Sequence, residues 1–162
     1  MSAPAIPLPE FDYEMDATRR LIERVPGEKG EWKPHEKSFP LGHLAQLVSR
    51  MPGWIANTLQ KAELDLHAAG ASYSFEPTET LLAELDRNVG EAREALESVR
   101  GDDLAANWTL RGGDYVMYSA PRAVAVRMHL NHLIHHRGQL TVYLRLLDVP
   151  LPPIYGPTAD EG

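Results

Sequence analysis

The chain has 162 residues, 43% of them hydrophobic, and a formal charge of −7 with an isoelectric point near 5.5. That length suits one domain around one core, residues 1–162, and no apolar run approaches the roughly 18 residues of a membrane span. The absence of cysteine excludes disulfides, thiolate metal sites and a protein thiol nucleophile, and the scattered basic residues argue against nucleic-acid binding through phosphate neutralisation. No basic-then-apolar leader opens the sequence, so the expected location is cytoplasmic, away from membranes.

Residues 1–10 carry three prolines and are expected to form an extended arm. Phe11, Met15, Thr18, Ile22 and Val25 then recur at steps of four and three, the spacing of one helical face, until Pro26 and Gly27 stop it. After a charged connection at 27–39, a second stripe runs from Leu41 through Leu44, Val48, Met51, Ile55 and Leu59 to Ala62. Pro52 lies inside it, and a proline there removes one hydrogen bond, so a kink or a break into two helices is expected. Gly70 is expected to close this segment, with a loop at 70–76.

The third stripe, Leu82, Leu85, Val89, Ala92, Leu96 and Val99, steps three and four like a heptad seam and is followed by Gly101. "NWTLRGGDYVMYSAP" alternates roughly around Gly112 and Gly113, which fits a short hairpin or irregular turn. Ser119 is then read as the cap of a fourth helix, with Pro121 in its first turn, running to about Leu147. Pro150 prevents further extension, and the proline-rich tail at 148–162 is expected to lie extended over the surface. The fold class is therefore all-α: a four-helix bundle, with one or both long connections crossing over and a hairpin-like insert before the last helix.

The chemistry concentrates in "HLNHLIHHRGQL", where His129, His132, His135 and His136 place four of the seven histidines in eight positions. At about 100° per residue, His132 and His136 stack on one face, His129 lies on the same stripe, and His135 points away. Helical histidines four apart can share one divalent ion, and imidazole suits zinc, nickel, copper and iron. Spacing alone leaves the pairs 129/132 and 132/136 open. A third ligand must come from another helix, and His43, at the edge of the second apolar stripe, is the candidate. Three imidazoles leave a coordination position for water or substrate, the arrangement of a catalytic site. Adjacent histidines on a helix can equally be solvated and inert, and His35 and His67 read as surface residues. Arg137 and Gln139 follow the cluster on a largely apolar helix; Arg137 is either part of the site or an ordinary surface charge. Gly138 is a position where another helix could approach closely. The lack of glutamate in the fourth helix argues against a ferritin-like di-iron site, and the absence of a glycine-rich phosphate loop argues against nucleotide binding.

"HLIHHRGQL" and "WKPHEKSFPLGHLAQL" resemble the DinB-like family of metal-binding helical bundles, and the likeness runs through the ending "LRLLDVPLPPIYGPTADE". The resemblance implies His43, His132 and His136 as metal ligands, leaving His129 and His135 in supporting roles. It implies a bundle with a crossover, a homodimer, and a divalent ion, zinc or nickel, in a cleft. The family's activities imply a metal-dependent enzyme acting on a small-molecule substrate, either a thiol-dependent S-transferase or a hydrolase. Without cysteine, the thiol comes from a low-molecular-weight cosubstrate. The alternative implied is a stress-associated protein in which the metal braces the bundle without catalysis. Trp108, Tyr115 and Tyr118 are candidates either for the cleft wall or for core packing.

Overall fold

The computed structural model describes residues 6–69 and 72–161. In chain order it comprises α1 (Leu8–Ile22), a single 3-10 turn (Gly27–Lys29), α2 (Leu41–Gln60), β1 (Glu63–Asp65), α3 (Leu66–Ala69), α4 (Thr78–Ser98), α5 (Gly101–Ala105), β2 (Asn107–Gly112), β3 (Tyr115–Pro121) and α6 (Arg122–Leu146). Among the described residues, no helix is long and apolar enough to cross a membrane.

α1, α2 and α4 follow the three apolar stripes, except that in α4 Leu81 is buried while Leu82, Val89 and, just past its end, Val99 are only half-buried. α2 packs against α4 and α6, and α1 packs against the same two helices. α1 and α2 therefore face each other across the bundle, and each of the long connections, α1 to α2 and α4 to α6, has to cross it. α1 begins at Leu8 with Pro9 in its first turn, where the missing N–H has no helical partner to lose. The expected extended arm is thus helical at its inner end, and residues 1–5 lie outside the described ones. α2 continues through Pro52 as one helix. Pro52 cannot donate to the Val48 carbonyl, and Asn88 of α4 donates its side-chain amide to the next one, Ser49 O, at 3.0 Å. Gly53 makes room for that approach: a Cβ there would lie 3.1 Å from Asn88 Oδ1. The stripe ends at Leu59 rather than Ala62, which is exposed just before β1. The stop expected at Gly70 lies outside the described residues.

Two corrections concern the segment before α6. The fold is not strictly all-α, because β1, β2 and β3 form a three-stranded sheet in that order, β1 parallel to β2 and β2 antiparallel to β3. A three-residue strand such as β1 is too short to show a period-two pattern in sequence. Ser119 does not cap the last helix: it lies in β3, bonded to Thr109 across the strands, and Pro121 precedes α6 without a side-chain cap. The hairpin turns through Gly113 and Asp114, with Gly113 at φ +60°, the sign a type II′ loop requires at its first position.

The core has two apolar clusters. Phe11, Met15, Met51, Ile55, Leu130 and Leu133 anchor one; Leu21, Ile22, Leu44, Leu85, Leu140 and Leu144 anchor the other. Between them lies a buried polar layer. Arg137 Nη1 donates to Glu14 O at 2.9 Å and to Thr18 Oγ1 at 3.2 Å, and Nη2 donates to the Tyr155 hydroxyl at 2.9 Å. The hydroxyl in turn donates to Glu14 Oε1 at 2.8 Å, and Nη2 lies 2.6 Å from Glu14 Oε2. Arg137 is therefore no surface charge: it ties α6 to α1 and to the C-terminal tail. Gly138, by contrast, faces open space, and no helix approaches it among the described residues.

α6 ends in a Schellman motif. Val149 N–H bonds to Leu144 O at 3.0 Å and Asp148 N–H to Arg145 O at 3.1 Å, with Asp148 at φ 56° in the left-handed region usually given to glycine. Beyond it the tail has no helix or strand and lies against α1 and α6, where Tyr155 stacks on Tyr13 and Glu161 pairs with Arg24 at 2.6 Å.

Candidate metal centre and adjoining cavity

α6 places its histidines as the 3.6-residue period dictates. His132 Nε2 and His136 Nε2 face each other at 2.9 Å, one turn apart. His136 Nδ1 meets Gln139 Oε1 at 2.7 Å. A carbonyl oxygen only accepts, so Nδ1 carries the hydrogen and the lone pair of His136 is directed from Nε2 toward His132. A side-chain carbonyl holding the far nitrogen is the usual way a metal-binding imidazole is oriented.

His43, near the start of α2, is half-buried between two rings: Phe39 at 4.4 Å and Tyr73 at 3.7 Å between centroids. The Phe39 ring also lies 6.5 Å from that of His136, so it flanks both imidazoles. Burial, and then the nearby His136, push the pKa of His43 below the ordinary histidine value. Burial does the same for His132, with His136 and His135 adding to it. Burial also lowers that of His136, opposed by its bond to Gln139 and assisted by His135. All three rings are thus neutral at neutral pH, the form that offers a lone pair.

Two imidazoles on one zinc at about 2.0–2.1 Å in tetrahedral geometry stand roughly 3.3–3.4 Å apart, so His132 and His136 need separate by only a few tenths of an ångström. These two residues fit a shared divalent ion. The third position is not formed: among the described residues, no group of three His, Cys, Asp or Glu side chains is gathered so as to hold a metal. His43 stands beside the pair but in its own aromatic stack.

The remaining histidines separate clearly. His129 is buried, its Nε2 3.1 Å from Thr58 Oγ1, and its ring meets Trp108 edge-to-face at 5.3 Å. Desolvation, and then His132, lower its pKa to about 4. His135 is exposed, and its ring sits edge-on to His136 at 5.1 Å. His35 and His67 are exposed, as expected of surface residues.

A cavity of about 700 Å³ opens beside this group, between α2, α6 and the sheet, with His129 and His132 in its wall. The sheet supplies one side. Leu64 of β1 pairs with Leu110 of β2, which pairs with Tyr118 of β3, and these three form a cross-strand row facing the cavity. Adjacent residues of a strand normally face opposite ways, yet Met117 also lines the space. The reason is a bulge: Leu110 opposes Tyr118 and Arg111 opposes Val116, leaving Met117 as the extra residue. Trp54 and Tyr73 complete the aromatic wall beside His132. Of the aromatic residues considered from sequence, Trp108 and Tyr118 line the cavity, whereas Tyr115 is 73% exposed at the hairpin end.

Sequence reasoning passed over Phe39, Tyr73 and the orienting role of Gln139. Gln139 lies three after His136 on the same helix, within reach of spacing rules, whereas Phe39 precedes α2 and no helical spacing links it to His43. Tyr73 reaches His43 from a loop 30 positions away, and no local pattern announces it.

A model of the DinB family matches residues 8–162. The uncharacterized protein YrdA of Bacillus subtilis (strain 168) is 22% identical over 154 residues, covering 95% of this chain and 89% of that protein. A DinB-like protein of Bacillus cereus ATCC 10987 superimposes with a TM-score of 0.70 at 23% identity, over 91% of this chain and 95% of its own. The DinB-like protein YjoA of Bacillus subtilis does so with a TM-score of 0.68 at 19% identity, over 90% and 93%. These structural likenesses establish a shared fold.

Proposed function

The chain belongs to the DinB family, and on that premise we propose that it is a divalent-metal-dependent enzyme acting on a small molecule, with His132 and His136 as ligands and His43 completing the set. The observation that carries this reading is the pair of Nε2 atoms at 2.9 Å, one of them oriented from behind by Gln139. Zinc and nickel both suit an all-imidazole set. An ion held there supplies Lewis acidity, which converts a thiol or a water molecule into a nucleophile near neutral pH.

The protein's own residues divide the remaining work. Gln139 fixes the His136 tautomer. Phe39 and Tyr73 hold the plane of His43, which would have to leave their stack to join the pair. Trp54, Tyr73 and the sheet wall give the space beside His132 an apolar lining on which the body of a substrate would pack. With no cysteine in the chain, transfer to an electrophile needs a low-molecular-weight thiol as cosubstrate; hydrolysis needs only water. The cavity favours catalysis over a purely bracing metal, because a structural ion requires no chamber of about 700 Å³ beside it.

The test is metal analysis of untagged protein by mass spectrometry after equilibration with zinc or nickel and removal of the excess. One ion per chain is expected, lost in His132→Ala and His136→Ala and weakened in His43→Ala. Wild-type protein that retains no stoichiometric metal would overturn the proposal. Loaded protein is then assayed with small thiols and an electrophilic acceptor, and separately with esters and amides. Turnover in one series assigns the reaction, and none in either leaves the bracing role.

A further inference from the structure

We propose that the cavity between α2, α6 and the sheet binds an uncharged, predominantly apolar small molecule whose polar reacting group is delivered to the His132 end. This deepens the functional reading above, from which it takes only the direction of the reactive end. Trp54, Tyr73, Trp108 and Leu110 make most of the wall aromatic or aliphatic. Among the described residues Arg50 is the one lining residue with a permanent charge, and that charge is already committed: its Nε donates to Glu84 at 3.0 Å and its Nη1 to Ser72 O at 2.9 Å. Placing a charged group along this stretch, away from the His132 end, would strand an ion against apolar surface with no free counter-ion among the described lining residues.

The lining carries few polar groups beside the aromatic and aliphatic ones. Asn57 of α2 and His129 and His132 of α6 are among them. A largely apolar chamber with a few convergent polar groups is the usual form of a small-molecule site. The occupant is a small molecule rather than a second copy of the chain because the inner wall is recessed: Trp108 is fully buried and His129 is only 4% exposed.

The experiment compares N-phenyl-1-naphthylamine, which is neutral, with 1-anilinonaphthalene-8-sulfonate, which carries the same rings and a negative charge. Binding is followed by energy transfer from tryptophan, in about 0.3 M salt so that the net protein charge is screened. The neutral probe is expected to bind at least about tenfold more tightly than the sulfonate, because an uncompensated ion resists burial. Leu66 and Met117 lie on the lining but are 39% and 53% exposed, so Leu66→Glu/Met117→Glu adds charge without disturbing the core. The double variant should keep its melting temperature and lose neutral-probe binding by about tenfold or more. Equal binding of both probes, no binding of the neutral one, or unchanged binding in the folded double variant would overturn the proposal. So would a change of oligomeric state in that variant by light scattering, since a second copy would then be the occupant. The assay is run on chelator-treated protein. Probe binding without metal retention would sink the metal-enzyme reading alone, and metal retention without probe binding would sink this one alone.

Discussion

Replacing Arg137 with alanine tests whether the polar layer stabilises the bundle. The guanidinium side chain is 2% exposed and that of Glu14 is 8% exposed, so neither group has water to fall back on. Truncation removes donors from Glu14 O, Thr18 Oγ1 and the Tyr155 hydroxyl, and it leaves the Glu14 carboxylate buried without its cation. Breaking a buried pair from one side costs about 3–5 kcal/mol. In a chain of this size each kcal/mol is worth roughly 2–4 °C in Tm, so Arg137→Ala should melt roughly 6–20 °C lower. Glu14→Leu/Arg137→Met should recover most of this, ending within about 1–2 kcal/mol of wild type, because replacing both partners by apolar groups leaves no stranded charge. Urea unfolding followed by circular dichroism measures all three proteins. A loss below about 1 kcal/mol in Arg137→Ala, or a double variant as unstable as that single one, would refute the reasoning.

Gln139→Leu removes the acceptor from His136 Nδ1; zinc affinity measured by chelator competition should fall about 10- to 100-fold with Tm little changed. His129 is held neutral, with a folded pKa of about 4 against an ordinary 6.5. The unfolded chain therefore takes up the extra proton, so this stabilisation is complete above pH 6.5 and is lost as pH falls toward 4. Between about pH 7.5 and 4.5 the wild type should lose about 2–3 kcal/mol more than His129→Gln in parallel urea titrations, and equal losses would count against the assignment. Asp148→Gly at the Schellman position relieves a left-handed side chain; a rise of about 0.5–1 kcal/mol in unfolding free energy is expected by the same method.

The helical stripes were legible because period 3.6 repeats over three or more turns, enough for Phe11, Met15 and Leu85 to declare their faces. That His129, His132 and His136 share one stripe was legible for the same reason, but spacing left the pairs 129/132 and 132/136 open, and only the family resemblance singled out His132 with His136. The sheet was not: β1 has three residues and pairs with a strand more than 40 positions away. The bulge at Met117 broke the alternation that would have marked β3. Arg137 could be read either way, because a charge following a histidine cluster looks alike whether it meets solvent or Glu14. Ser119 misled because a hydroxyl two residues before a proline mimics a helix start, while its actual partner, Thr109, lies across a strand pair.

The bulge in β3 also bears on how the cavity can change. Side chains along a strand alternate sides, so gaining or losing one residue between Tyr115 and Pro121 inverts every facing beyond the change. A point substitution alters one patch of the chamber. A single-codon insertion or deletion in β3 that the bulge does not take up would reverse the facing of that strand beyond the change at once, while β2 and the helices carrying the histidines stay where they are. Ligand preference in such a scaffold can therefore shift by the parity of a short strand as readily as by replacement of its residues.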